Sequence, residues 1–180
     1  MSTVFCVKDL SQLVKQIYYF WMAKQRSEFV AGVIMPKNFS RTANDVWETP
    51  PDVFELACDI FHVYPRLDVA STHENKLCEF NFTEIDDGLK QNWWTTVWCN
   101  PPFSKAGKWI EKCYHENKKN NIDIIALLNV STDTHAWQNY ILHGMTDIYW
   151  ISGRIRFNKN GQRSQHPSQH PCALVCWRKQ

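Results

Sequence analysis

Apolar positions recur along this chain in two periods, and the periods alternate. Leu10, Leu13, Val14, Ile17, Phe20 and Trp21 fall at helical spacing and predict an amphipathic helix over Lys8 to Arg26. Trp47 to Pro51 reads as a loop, with Thr49 as a cap and proline in the first turn of a helix running to about Val63. Leu67 to Ala70 predicts a short strand with a polar exit, Ser71 to Asn75, and Asn81 to Asn92 has no period. Thr96 to Cys99 reads as a buried strand, Ser104 to Lys119 as a helix, and Lys118 to Asn121 as the turn that ends it. Ile122 to Val130 is nearly continuous apolar sequence, the pattern of a strand covered on both faces. A short helix over Thr134 to His143, a strand over Asp147 to Ile151 and a late pair, Arg154 to Asn158 and Ala173 to Trp177, complete the order. Strands alternating with helices predict one small α/β domain, its sheet mostly parallel with an antiparallel pair at one edge.

Between the late strands lies a tandem repeat, Ser164-Gln165-His166-Pro167 and Ser168-Gln169-His170-Pro171. Its polarity marks residues 158–171 as a mobile loop. The organisation expected is therefore a helical extension over residues 1–42 followed by one domain over 43–180. No apolar run approaches the roughly 20 residues of a membrane span, and MSTVFCVKDL lacks the order of a signal peptide, so a cytoplasmic protein is expected. Seven scattered cysteines without a Cys-x-x-Cys pair agree with a reducing compartment. Cys172 and Cys176, near His166 and His170, are weak grounds for zinc, and no metal is expected.

Charge sharpens the picture. Between Ala43 and Lys90 stand eleven acids against three bases, whereas no acid follows Asp147 and six bases do. One end suits a cation or a hydroxyl-rich ligand; the other suits phosphates.

The chemistry concentrates in Asn100-Pro101-Pro102-Phe103, between a strand and a helix, at the sheet edge where open α/β proteins bind ligands. The prolines stiffen the loop and remove two donors. An Asn side-chain oxygen and a neighbouring carbonyl can accept both hydrogens of an exocyclic amine, and Phe103 can stack on the ring that carries it. An adenine, guanine or glutamine amine fits this motif equally well. A Pro-Cys nucleophile, as in cytosine C5 methylation, is present at Pro171-Cys172, but without a strand-to-loop setting, and Cys172 reads better as the start of a strand. Trp93 and Trp94 read as core anchors in preference to a stacking pair.

With Thr49-Pro50, Asp68, Asp86-Asp87-Gly88-Leu89, Trp98 to Phe103 and Gly153-Arg154-Ile155-Arg156-Phe157 in this order, the chain resembles the phage-type DNA N6-adenine methyltransferases from about Asp45 to Arg178. The resemblance implies a Rossmann-like methyltransferase fold, S-adenosylmethionine as methyl donor, and adenine in DNA, flipped from the duplex, as acceptor. It implies Asn100, Pro101, Pro102 and Phe103 as the catalytic loop. Thr49, Pro50, Asp68 and Asp86 or Asp87 are implied as donor-binding, with Glu74 and Asn75 as weaker candidates for the donor's hydroxyls. Lys105, Lys108, Arg154 and Arg156 are the candidates for DNA phosphates. Phe103 stands where the family commonly has tyrosine, and no glycine-rich loop follows Leu67 to Ala70. Two alternatives fit the same residues: a methyltransferase acting on an RNA base or protein amide, and a degenerate fold kept as a DNA-binding module.

Overall fold

Six strands form one sheet in the order β2-β1-β3-β4-β8-β5 in the computed structural model, which describes residues 47–144 and 146–180. The helix expected over Lys8 to Arg26 lies outside the described residues. The strands are β1 (Leu67–Asp68), β2 (Phe80–Asn81), β3 (Val97–Cys99), β4 (Ile124–Asn129), β5 (Asp147–Trp150) and β8 (Cys172–Trp177). β2, β1, β3 and β4 pair in parallel; β8 runs antiparallel to both β4 and β5. The expected α/β class, mostly parallel sheet and antiparallel edge pair are all present.

The members of that pair differ from the expectation. Ala173 to Trp177 does lie in a strand, but its partners are β4 and β5. Arg154 to Phe157 joins no ladder. Beyond it the chain folds into a separate hairpin, β6 (Asn158–Lys159) and β7 (Gln162–Arg163). The reason is compositional. Cys172 to Trp177 is apolar at every position and buries all six residues, as an interior strand must, whereas Arg154 and Arg156 alternate with buried Ile155 and Phe157 and stay exposed.

Helix α1 (Pro51–Phe61) begins with proline at its first turn and ends where His62 takes a left-handed φ of 52°. It packs Ala57 and Phe61 on the sheet face that presents Trp98, Ile125 and Leu127. Helix α2 (Ala106–Asn120), after a 3-10 turn over Phe103–Lys105, packs Trp109, Ile110 and Cys113 on the face that presents Val97, Cys99, Ile124 and Ala126. β3, β4 and β8 thus split their side chains between two cores, the period-2 alternation of a doubly covered sheet. Burying each of the large aliphatic side chains in β4 contributes about 1.5–3 kcal/mol. The turn expected over Lys118 to Asn121 starts later: Lys118 and Lys119 remain helical, where they complement the carbonyl end of the helix, and Asn121 caps it with a φ of 51°. The short helix expected over Thr134 to His143 is present over residues 135–142, and most of it is a π-helix, Trp137–Leu142.

Trp93 is fully buried, as expected of a core anchor, but Trp94 is 53% exposed and packs edge-on against Phe80 and Phe82 at the β2 edge. The Ser-Gln-His-Pro repeat is a structural repeat as well. In each copy the serine hydroxyl accepts from the N–H of the histidine two residues on, at 3.2 Å, and donates to the same residue's carbonyl at 3.0 Å. Among the described residues no helix is long and apolar enough to cross a membrane.

Candidate active site

β1 and β3 lie side by side, Asp68 opposite Trp98 in their register, so the residues that follow both strands emerge at one sheet edge. β1 delivers Asp68; β3 delivers Asn100. The cleft between them is lined by Trp47, Thr49, Asp68, Ser71, Asn75 and Asn100, among others.

Asp68 is the electrostatic centre of this cleft. Its side chain is nearly sealed from water, and burial pushes its carboxyl up to about 6 from an ordinary 3.8. The N–H groups of Leu77 and Ala70 donate to its two oxygens, each at 3.3 Å, and hold the shift down. The Ser71 hydroxyl lies close enough to act in the same direction, although no hydrogen bond of ordinary geometry satisfies it. The Thr49 hydroxyl is also buried without a partner, which removes it from the helix-capping role expected of it. A buried carboxylate beside two unsatisfied hydroxyls is a surface that lacks its complement, and such groups are costly unless a ligand meets them. Asn75 spends its Oδ1 on the Thr72 N–H at 2.7 Å.

Asp86 and Asp87 occupy the turn after β2 rather than the cleft lining. Asp86 accepts from the Thr83 N–H and hydroxyl, both at 2.8 Å, and these bonds hold its carboxyl below the usual range. Asp87, at a positive φ of 53°, pairs with Lys90 at 2.9 Å, and that cation lowers its carboxyl likewise. Gly88 is what brings this turn against β1. A Cβ there would sit 2.2 Å from the Val69 carbonyl oxygen, so only glycine lets the two backbones meet. Trp93 Nε1 donates to the Gly88 carbonyl at 3.0 Å and fixes the approach. Pro50 is buried at the head of α1, behind Thr49.

The catalytic loop candidate has a defined polarity. Asn100 Nδ2 donates to the Trp47 carbonyl at 2.8 Å. A carbonyl only accepts, so the amide nitrogen must face Trp47 and Oδ1 must face the other way. Pro101 is buried, and the Pro102 carbonyl is committed to the Lys105 N–H at 2.9 Å. Phe103 is half-buried and meets Phe157 edge-on at 5.8 Å; Trp47 meets the same ring at 6.2 Å. Lys105 and Lys108 are exposed on the first turns after the loop; Arg154 and Arg156 are exposed in the segment between β5 and β6, and Arg154 donates through Nη1 to the Gln169 carbonyl.

The structure therefore brings Thr49, Asp68 and Asn100 together around one cleft, with Phe103 beside it on the Asn100 loop. Trp47 and Ser71 escaped sequence reasoning. Trp47 acts through its backbone carbonyl, which no side-chain pattern marks. Ser71 stood in the polar exit of β1, where its proximity to Asp68 was the available signal. Cys172 opens β8 as a buried residue and Cys176 lies on the same strand, both thiols pushed up by burial, to about 11 and about 12.

Comparison with known proteins agrees with the family resemblance. The chain is 30% identical over 128 residues to the DNA N-6-adenine-methyltransferase of Escherichia phage T1, a match covering 69% of this chain and 52% of that one, so it spans about half the length of that relative. It is 25% identical over 141 residues to the DNA N-6-adenine-methyltransferase of Haemophilus phage HP1 (strain HP1c1), covering 77% of this chain and 81% of the relative. The family model described as DNA N-6-adenine-methyltransferase (Dam) matches residues 37–180, most of the sequence, and the chain belongs to that family.

Proposed function

We propose that the protein transfers a methyl group from S-adenosylmethionine to the N6 amine of adenine in DNA, with the base turned out of the duplex. The observation that carries this reading is the orientation of Asn100: with Nδ2 committed to Trp47, its Oδ1 is presented as an acceptor at the edge of a cleft whose own polar groups lack partners. When bound, the donor supplies an electrophilic methyl on a sulfonium centre.

An adenine amine is a poor nucleophile because its lone pair is delocalised into the ring. Asn100 Oδ1 and the Pro101 carbonyl each accept one N–H, which draws the nitrogen towards tetrahedral geometry and localises the lone pair. The same two dipoles stabilise positive charge developing on nitrogen, so alignment and electrostatics supply the catalysis and no covalent intermediate is needed. Phe103 stacks on the flipped base. The donor is held by Thr49, Pro50 and Asp68, with Ser71 and Asn75 at the same cleft and Asp86 or Asp87 accepting from its adenine amine. The unpaired hydroxyls and the buried carboxylate fit a ligand that carries amine and hydroxyl donors. Lys105, Lys108, Arg154 and Arg156 meet phosphates of DNA, in the cytoplasm of the host cell.

The test is to incubate the protein with labelled donor and unmethylated DNA, RNA and protein in parallel, then digest each to its components. Label in N6-methyladenine from DNA alone is expected. Asn100→Ala should abolish it while leaving thermal unfolding unchanged; full activity in that variant would overturn the mechanism.

A further inference from the structure

The segment Trp47-Glu48-Thr49 supplies both a wall of the cleft and the carbonyl that orients Asn100, and it is held in place from far along the chain. Glu48 and Asn158 exchange two backbone hydrogen bonds, at 3.1 and 2.9 Å. The Glu48 carboxylate then covers the tip of the β6–β7 hairpin. Oε1 accepts from the Asn160 N–H at 2.9 Å and Oε2 from the Gly161 N–H at 3.0 Å. Asn160 and Gly161 have φ of 51° and 73°, the paired left-handed residues of a tight hairpin turn, and both their N–H groups point at this one side chain. The hairpin's far strand is tied to α1 by a two-pronged contact, Arg163 to Asp52, at 2.7 and 3.1 Å.

We infer that Glu48 is a positioning residue for Asn100. By clamping the hairpin turn with both carboxylate oxygens it fixes the backbone one residue before it, where the Trp47 carbonyl accepts from Asn100 Nδ2. Without that carbonyl in place the amide is free to turn over. It would then present N–H donors to a target amine that is itself a donor, so the acceptor geometry is lost although Asn100 is still there. The consequence for turnover rests on the methyl-transfer reading; the effect on the amide does not.

Full-length Glu48→Ala and Glu48→Gln variants test this with two readouts. In protein carrying nitrogen-15 in asparagine, the Asn100 side-chain signal is identified by its loss in Asn100→Ala. Its amide protons should exchange with solvent about tenfold faster in Glu48→Ala than in wild type, with Glu48→Gln between them, because glutamine keeps one acceptor oxygen. In steady-state methylation at saturating donor, kcat should fall roughly 10- to 100-fold in Glu48→Ala, with KM for DNA within about twofold, and Glu48→Gln should recover part of the loss. Unchanged Asn100 exchange in Glu48→Ala would overturn the inference. So would a loss of activity that tracks the unfolded fraction and disappears on cooling. Faster exchange in a protein whose wild type methylates nothing supports the clamp and sinks the proposed function instead, so the two failures are distinguishable.

Discussion

Replacing Asp68 by asparagine should stabilise the ligand-free protein at neutral pH while weakening donor binding. The Asp68 carboxyl is raised from 3.8 to about 6 by burial, so the folded state holds its proton more tightly than the unfolded chain does. Stability therefore falls as pH rises from the unfolded value through the folded one, and above pH 6 the full cost of burying the charge is present. At about 1.4 kcal/mol per pH unit, that cost is about 3 kcal/mol. Asparagine removes it, but it offers one acceptor oxygen where aspartate offers two. One of the Leu77 and Ala70 N–H groups, each 3.3 Å from the carboxylate now, then faces an NH2 at a cost of about 1 kcal/mol. The net expectation is a gain of about 2 kcal/mol at pH 8, or roughly 4–8 °C in Tm for a chain of this size. In acid the sign reverses, with the two stability curves crossing near about pH 4.5. Thermal unfolding of both proteins from pH 4 to pH 8, paired with calorimetric titration of donor, makes the measurement. A variant less stable than wild type at pH 8, or a difference that does not move with pH, would refute the argument that burial of a charge governs this residue.

Thr49→Val removes a buried hydroxyl that has no partner; unfolding should show equal stability or a gain of about 1 kcal/mol, while donor affinity falls, and a clear loss of stability would show the hydroxyl was paired. Gly88→Ala drives a Cβ to 2.2 Å from the Val69 carbonyl; denaturant unfolding should show a loss of about 1–3 kcal/mol, and a value under about 0.5 would mean the two backbones are not in contact. The double variant Arg154→Ala, Arg156→Ala removes two exposed cations from one segment. Its DNA affinity should fall with little sequence preference, and the slope of log K against log salt should drop by about 1 to 2; an unchanged slope would place the phosphate contacts elsewhere.

Much of this protein was legible along the chain because the signals are local. Pro50 and Pro51 start α1, continuous apolar sequence makes β4 and β8 interior strands, and the Asn-Pro-Pro-Phe loop follows a buried strand as its composition requires. The chemical type proposed for the site, an amide and carbonyls offered to an amine, needs nothing beyond the residues at 100 to 103. The tertiary structure decided which way that chemistry points. The bond that orients Asn100 spans 53 residues of sequence, and those by which Glu48 holds the hairpin turn span 112 and 113. Neither partner advertises itself, one being a backbone carbonyl and the other a pair of turn N–H groups. The raised carboxyl of Asp68 is likewise a product of burial, a property of everything packed around a side chain and so unreadable from its neighbours in sequence. Local preference selects the elements and the reactive groups; orientation and charge state arise only when distant backbone closes over them.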